Sequence, residues 1–394
     1  MKIAYITANF GLISETFVTD LAENLSKSGQ LIRIFTNSNS YSINTNLEID
    51  EVRFLTISSI VDKLGFRIDN FLGKRGEFWT YQRRLKQAHK SLLPVLKKYQ
   101  PDVAYIDFGT VAALAYSVLE QLNIPFIVHF HGADITSALN DVTYREELKK
   151  IFKTTSALIV ASNHIRRLLV LEGALSENIY VVRYGINLEG LVPKTWNERK
   201  SLPPSVVFIG RFTPKKHPVA LVEAFVLVKK QVPDAQLSLI GDGSEMPRVK
   251  QRIEKLGLDD SVKLYGALPR AEALPIVNQH WVFAQHSVTA PSGDQEGFGI
   301  SLAEAAALEL PIISTLHNGI PEQVIDRKTG FLVREFDYEA MAECIIKLLN
   351  NPGLAEQMGK YGRQHISQLC QTNQRVDSIN KILISAYKIS INDI

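Results

Sequence analysis

Cysteine is nearly missing from this chain of 394 residues: Cys344 and Cys370 are the only two. Their scarcity excludes a disulfide framework and a cysteine-based zinc site, and it fits a reducing compartment, the cytoplasm. No apolar run approaches the roughly 18 residues that a membrane-spanning helix needs, so any membrane contact is expected to be peripheral. The start does not read as an export signal either. Met1–Thr7 is a short apolar run soon interrupted by polar residues, as in a buried first strand. Aspartates spaced Asp-x-Asp are absent, as is any His/Cys cluster with metal-ligand spacing, so neither a bound metal nor a cofactor is expected. Gly241-Asp242-Gly243 follows a strand but lacks the third glycine of a dinucleotide fingerprint, which leaves a redox cofactor little support.

With 45% hydrophobic and 22% charged residues, the chain has an ordinary globular composition and enough length for two core-forming domains. The net charge of +3 is uneven: Lys63 to Lys98 holds ten Lys/Arg against Asp69 and Glu77. Phe66, Phe71, Phe78, Trp79 and Tyr81 are interleaved with those charges. Segment 63–98 therefore reads either as a contact for an anionic membrane surface or a phosphate-bearing acceptor, or as a solvated helical face with its aromatics in the core. No nucleic-acid partner is expected.

Short β-branched runs alternate with helical patterns. In the first half they are Lys2–Thr7, Leu31–Thr36, Val103–Ile106, Phe126–Phe130, Ala157–Ala161 and Ile179–Val182. Pro193, Trp196, Asn197, Pro203 and Pro204 break the pattern at 191–204, which reads as a linker. The rhythm then restarts with Ser205–Ile209, Gln236–Ile240, Ser261–Leu264, Trp281–Ala284, Pro311–Ser314 and Phe331–Val333. The predicted fold class is α/β, two doubly wound Rossmann-like domains facing across a cleft.

The candidate site residues fall at strand ends, where such sheets bind ligands. Asp294 to Ala305 is a glycine-bearing loop running into an alanine-rich helix, with Glu296 in the loop and Glu304 about a turn into the helix. Small residues let backbone N–H groups at the helix start approach a phosphate, and two carboxylates suit the hydroxyls of a sugar. Taken alone, Glu296 reads rather as a helix cap and Glu304 as a solvated first-turn acid, and it is the second site of opposite charge that turns the reading towards a ligand. Gly210-Arg211-Phe212-Thr213-Pro214-Lys215-Lys216 follows a strand directly, and Arg211 as a forked donor with Lys216 as a point charge would meet the charge of a departing diphosphate. Lys215 is expected to face solvent. In the first half, Val128 to Asp134 delivers His131, Gly132 and Asp134, with His131 at the strand exit better placed than His129. Gly11 permits close backbone approach in a strand-to-helix loop, with Ser14 as the expected helix cap. Pro321 and Glu322 read as a helix start.

Together these pieces resemble the family 4 glycosyltransferases of the GT-B fold over nearly the whole chain. Glu296 and Glu304 match that family's Glu-x7-Glu element, Arg211 and Lys216 its Gly-Arg-x4-Lys element, and His131-Gly132-x-Asp134 its His-Gly-x-Asp element. Gly11 matches its first phosphate-loop glycine. The resemblance implies that Glu304 holds the ribose hydroxyls, Glu296 and the Phe298–Ile300 backbone the donor sugar, and Arg211 with Lys216 the diphosphate. It implies His131 near the reacting centre, Gly266 and Ala267 against the nucleobase, and a last helix, roughly 373–389, returning to the first domain. The domains implied are 1–195 with 373–394 for the acceptor, and 196–372 for the donor. Two positions depart from the family pattern: His217 and Asn318 stand where glycines are usual.

The likeness of His286–Ala290 to the exopolysaccharide and lipopolysaccharide branch leans the donor towards UDP-glucose or another UDP-hexose. The expected activity is retaining, metal-independent hexosyl transfer to a glycan or lipid-linked acceptor at the cytoplasmic membrane face. A sugar-nucleotide epimerase of the same fold and a non-catalytic nucleotide-sugar-binding partner are the alternatives.

Overall fold

A computed structural model describes residues 1–40, 47–55 and 74–392. Two compact units emerge, Met1–Val182 with Asn373–Ile394, and Arg183–Thr372. The first holds a parallel sheet of β1 (Lys2–Phe10), β2 (Leu31–Asn39), β3 (Glu48–Glu51), β4 (Val103–Asp107), β5 (Phe126–Phe130), β6 (Ala157–Val160) and β7 (Ile179–Val181). Their order is β3-β2-β1-β4-β5-β6-β7. The second holds β8 (Ser205–Ile209), β9 (Gln236–Ile240), β10 (Val262–Gly266), β11 (Val282–Ala284), β12 (Ile312–Thr315) and β13 (Gly330–Val333), ordered β10-β9-β8-β11-β12-β13. Each sheet reverses direction of winding beside its first strand, between β1 and β4 and between β8 and β11. The crevice beyond the carboxyl ends at such a reversal is where ligands bind in doubly wound folds.

The central strands are β-branched and buried on both faces because helices cover both sides of a parallel sheet. Ile3, Tyr5 and Ile34 pack on one side with Val18, Leu21 and Leu25, while Ala4, Ile6 and Phe35 pack on the other with Leu92, Leu96 and Val118. The last helix, Thr372–Asn392, belongs to the first unit, because Val376, Ile379, Leu383 and Ala386 recur at helical spacing and enter the core of Ile3 and Tyr5. β3 went unread in the sequence. Its residues Glu48-Ile49-Asp50-Glu51 are mostly charged because it pairs with β2 alone, and Arg33 of β2 binds Asp50 at 2.8 Å and Glu48 at 3.3 Å.

Segment 191–204 corrects the linker reading. Thr195 and Glu198 form a capping box that starts a helix, Trp196–Lys200. From it Arg199, fully buried, donates to the carbonyls of Asn278, Leu308 and Glu309. The stretch is thus built into the second unit, and the prolines only flank it.

The basic segment divides. Its residues 63–73, with Phe66 and Phe71, lie outside the described residues, as do the side chains of Phe78 and Trp79. In the remainder Tyr81, Ala88, Leu92 and Leu96 are buried while Arg84, Lys86, Lys90, Lys97 and Lys98 are exposed. Tyr81 donates its hydroxyl to Ala113 O at 2.7 Å. From residue 80 onward this is an amphipathic helix with a solvated basic face. Among the described residues no helix is long and apolar enough to cross a membrane.

Candidate functional site

In the second unit, the loops after β8 and β11 carry the charged groups. Lys216 lies across the end of β8, where a Cβ on Gly210 would come within 3.2 Å of its methylenes. Its Nζ meets Glu296 Oε2 at 2.8 Å and Gln285 Oε1 at 3.3 Å. Lys216 and Glu296 are both nearly buried, at 13% and 11% side-chain exposure. Burial alone would push the Glu296 carboxyl up, but Lys216, Lys215 and His317 outweigh it and hold the pKa at about 2, against an ordinary 4.5. The two groups assigned separately to diphosphate and sugar are therefore ion-paired with each other.

Lys215 does not face solvent as expected. The turn Pro214–Lys216 aims both lysines at one loop, and Lys215 Nζ binds Asp294 Oδ1 at 3.1 Å and Gln295 O at 3.2 Å. Neighbouring lysines converge here because neighbouring acids receive them. Arg211 is exposed at the same strand end, and its side chain makes no hydrogen bond or ion pair among the described residues. That leaves its guanidinium open to an anionic ligand.

The loop after β9 is glycine-bearing for packing. A Cβ on Gly241 would fall 1.9 Å from Gly210 O, and one on Gly243 2.5 Å from Phe212 O. Phe212, fully buried, is clasped from that loop by Phe212 N–H donating to Asp242 O at 2.8 Å and Glu245 N–H donating to Phe212 O at 2.9 Å. Gly241-Asp242-Gly243 thereby fixes the strand end that carries Arg211 and Lys216.

Gly299, with φ of +86°, turns the chain into the helix Ile300–Ala307. Phe298 is buried, packs edge-on against Tyr184 at 5.5 Å, and its carbonyl accepts from Gln323 Nε2. Glu304 is 6% exposed, and its Oε1 accepts from Arg270 Nε. Gly266 ends β10 with φ of +71° and open space where a Cβ would stand, exposed Ala267 follows, and Arg270 begins a helix three residues on. Arg270 was overlooked in the sequence, although a cation shortly after a strand was the signal that found Arg211.

Gln285 and His317 were also missed. Gln285 bridges Lys216 and Ser287, and Ser314 donates to its carbonyl at 2.7 Å. His317 accepts from Glu296 N–H at Nε2 (3.1 Å) and donates Nδ1–H to Glu335 at 2.6 Å, which sets its tautomer and holds the Glu296 loop. The two departures from glycine both sit at left-handed positions, His217 at φ +40° and Asn318 at φ +48°. His and Asn are among the few non-glycine residues enriched there. Asn318 uses its side chain to donate to Gln295 Oε1 at 3.0 Å, tying its turn to the same loop.

In the first unit, His131 leaves β5 and its Nε2 lies 2.8 Å from Asp107 Oδ1. Asp107 is the last residue of β4 and its other oxygen accepts from the Tyr5 hydroxyl. Asp134 is buried, and its carboxylate accepts from the backbone N–H of Gly109, His131 and Gly132 at 2.8–3.0 Å. These three backbone donors tie it into the loop that carries His131. Gly11 has φ of +87°, as its turn requires. Ser14 caps nothing, because the helix starts at Thr16 after a turn over Ile13–Glu15.

Asp107, His129 and His131 bring ligand atoms within 4.8 Å of one another, a spacing that suits a metal ion. The sequence reading overlooked this group because Asp107 comes from another strand. Hydrogen bonds engage it as it stands: Tyr105 OH lies 2.5 Å from His129 Nδ1, and Asp107 serves Tyr5 and His131.

Residues 14–189 match the family described as Glycosyltransferase Family 4, and residues 195–365 match glycosyl transferases group 1. The amylovoran biosynthesis glycosyltransferase AmsK of Erwinia amylovora is 27% identical over 88% of this chain and 90% of its own length. The putative colanic acid biosynthesis glycosyltransferase WcaL of Escherichia coli is 31% identical over 63% of this chain and 62% of its own. Among solved structures, sucrose-phosphate synthase of Thermosynechococcus elongatus superposes with a TM-score of 0.80 at 20% identity, covering 99% of this chain and 100% of its own. Anabaena HepE, in complex with UDP and glucose, superposes with a TM-score of 0.75 at 17% identity, covering 98% of this chain and 100% of its own.

Proposed function

The chain belongs to the family 4 glycosyltransferases of the GT-B fold, and we propose that it transfers a hexose from a UDP-hexose, with retention of anomeric configuration, to a glycan or lipid-linked acceptor in polysaccharide biosynthesis. The observation that carries this reading is the pairing of Lys216 with Glu296 at the switch point of the second sheet, with Arg211 exposed just after β8 and the helix Ile300–Ala307 starting shortly after Glu296. Arg211 and Lys216 receive the diphosphate and stabilise the charge that develops as it leaves, without a metal. Glu296 takes a sugar hydroxyl while sharing Lys216, and Glu304 takes the ribose hydroxyls. Gly266 and Ala267 lie against the base. His131 of the first unit is assigned to the reaction and Gly11 to a phosphate or the acceptor, which is met at the cytoplasmic membrane face.

The UDP-glucose bound by HepE and the polysaccharide pathways named for AmsK and WcaL support the donor class and the pathway. A 34% identical relative over 41% of the chain uses GDP-mannose, which makes GDP the competing nucleotide. Calorimetric titration with UDP, GDP and ADP tests the base. Binding of UDP alone, with glucose released from UDP-glucose on long incubation, is the expected result. Preference for GDP overturns the donor assignment, and binding of none of the three overturns the site.

A further inference from the structure

We propose that Asp107 is a positioning residue for His131, holding the imidazole as the Nε2–H tautomer with its lone pair on Nδ1; this rests on the role given above to His131. Asp107 is 1% exposed, and both its oxygens are engaged, Oδ1 by His131 Nε2 and Oδ2 by the Tyr5 hydroxyl. An aspartate in its usual carboxylate form only accepts, so with Tyr5 donating to Oδ2 the contact at Oδ1 assigns the shared proton to Nε2 of the ring. Sequence spacing hid the pair: Asp107 ends β4 and His131 follows β5, and the parallel register that sets Asp107 beside His129 brings them together.

The ring is also gripped on its flanks. Phe108, Phe17 and His129 have ring centroids 4.5, 4.7 and 4.1 Å from that of His131. Phe108 stands at φ of +72°, a conformation a phenylalanine adopts only against strain, and its N–H donates to His129 O at 2.9 Å. Stored strain beside an oriented histidine is the mark of a group held for use. Among the described residues, the charged and titratable groups around it include Tyr5 on β1, Tyr105 and Asp107 on β4, His129 on β5, Asp134 on the following turn, and Arg375 on the last helix, which acts on Tyr5 and His129. Burial, reinforced by His131 and Arg375, keeps His129 well below the usual imidazole range, so it is a neutral neighbour.

The test has a direct arm and a kinetic arm. Long-range proton–nitrogen NMR of the full chain, with His131→Gln to assign the signal, reads the tautomer without perturbing Asp107; Nε2–H is expected, and Nδ1–H overturns the proposal. In the kinetic arm, Asp107→Asn and Asp107→Ala are assayed for hydrolysis of UDP-glucose. The alanine variant is expected to lose between about tenfold and a hundredfold in kcat with the donor KM within roughly twofold. The asparagine, which still accepts from Nε2–H, is expected to recover part of that loss with a shifted pH profile. Near-normal kcat in both variants overturns the proposal. If His131→Gln itself turns over normally, the role of His131 fails instead, and the tautomer result stands apart from that failure.

Discussion

The ion pair between Lys216 and Glu296 serves the fold and, by our reading, the reaction, and a double-mutant cycle separates the two uses. The pKa of Glu296 lies at about 2 in place of 4.5, which corresponds to roughly 3 kcal/mol of favourable interaction for a group about nine-tenths buried. Removing one partner strands the other charge, so Lys216→Met should destabilise the second unit by about 3–5 kcal/mol. At about 2–4 °C per kcal/mol for a domain of this size, its melting temperature falls by roughly 6–20 °C. Replacing both, Lys216→Met with Glu296→Gln, removes both buried charges and should return the melting temperature to within about 3 °C of the parent. Turnover should not return. A leaving diphosphate still lacks its cation, and UDP-glucose hydrolysis should stay down about a hundredfold or more. The pH dependence follows from the depressed carboxyl. Its contribution is complete above the unfolded value of 4.5 and is lost as pH falls from there towards 2, so Glu296→Gln should flatten that acid limb. Recovery of turnover in the double variant would remove Lys216 from the chemistry, and strictly additive melting losses would show that the pair does not couple.

Glu304→Ala should weaken UDP binding by roughly tenfold to a hundredfold, the worth of hydrogen bonds to a charged acceptor, and should erase the preference for UDP over 2′-deoxy-UDP in calorimetry; an undiminished preference places the ribose elsewhere. Gly241→Ala puts a Cβ 1.9 Å from Gly210 O at a φ of +141°, so urea titration should show a loss of roughly 3 kcal/mol or more; an unchanged midpoint refutes the close packing. Burial pushes His280 and His286 down to about 4 from 6.5. The unfolded chain therefore takes up protons from pH 6.5 downward while the native rings stay neutral, so stability is full above 6.5 and falls between 6.5 and 4 by up to roughly 1.4 kcal/mol per pH unit for each ring. His280→Asn should flatten part of that fall, and a level profile down to pH 4.5 contradicts the burial of both rings.

Most of the sheet architecture was legible because parallel central strands write themselves as short continuous β-branched runs. β1, β2, β4 and β5 are covered on both faces, and nothing competes with that signal. β3 was not legible for the opposite reason. An edge strand meets solvent on one side, so Glu48, Asp50 and Glu51 leave no apolar trace, and the strand exists because Arg33 and the β2 backbone receive it. The linker reading at 191–204 failed similarly: prolines mark where the chain bends, but they do not reveal that Arg199 is drawn into the core by three carbonyls that lie far along the sequence.

The site was legible residue by residue and illegible pair by pair. Strand-end placement, a property of local sequence, located Arg211, Lys216, Glu296, Glu304 and His131. Their partners come from other loops through the order of strands: Gln285 and Glu296 reach Lys216 because β11 lies beside β8, and Asp107 reaches His131 because β4 lies beside β5. Spacing along the chain carries no record of that adjacency. The same fact explains the mistaken view of Lys215, judged alone by its neighbour in sequence when Asp294, on another loop, decides where it points. A cation and a carboxylate each assigned to a ligand on local grounds can therefore turn out to hold one another. In such a site a ligand does not fill two independent contacts. It must compete for, or insert between, a pair that already satisfies itself, and binding strength then depends on how much of the Lys216–Glu296 attraction survives in the complex.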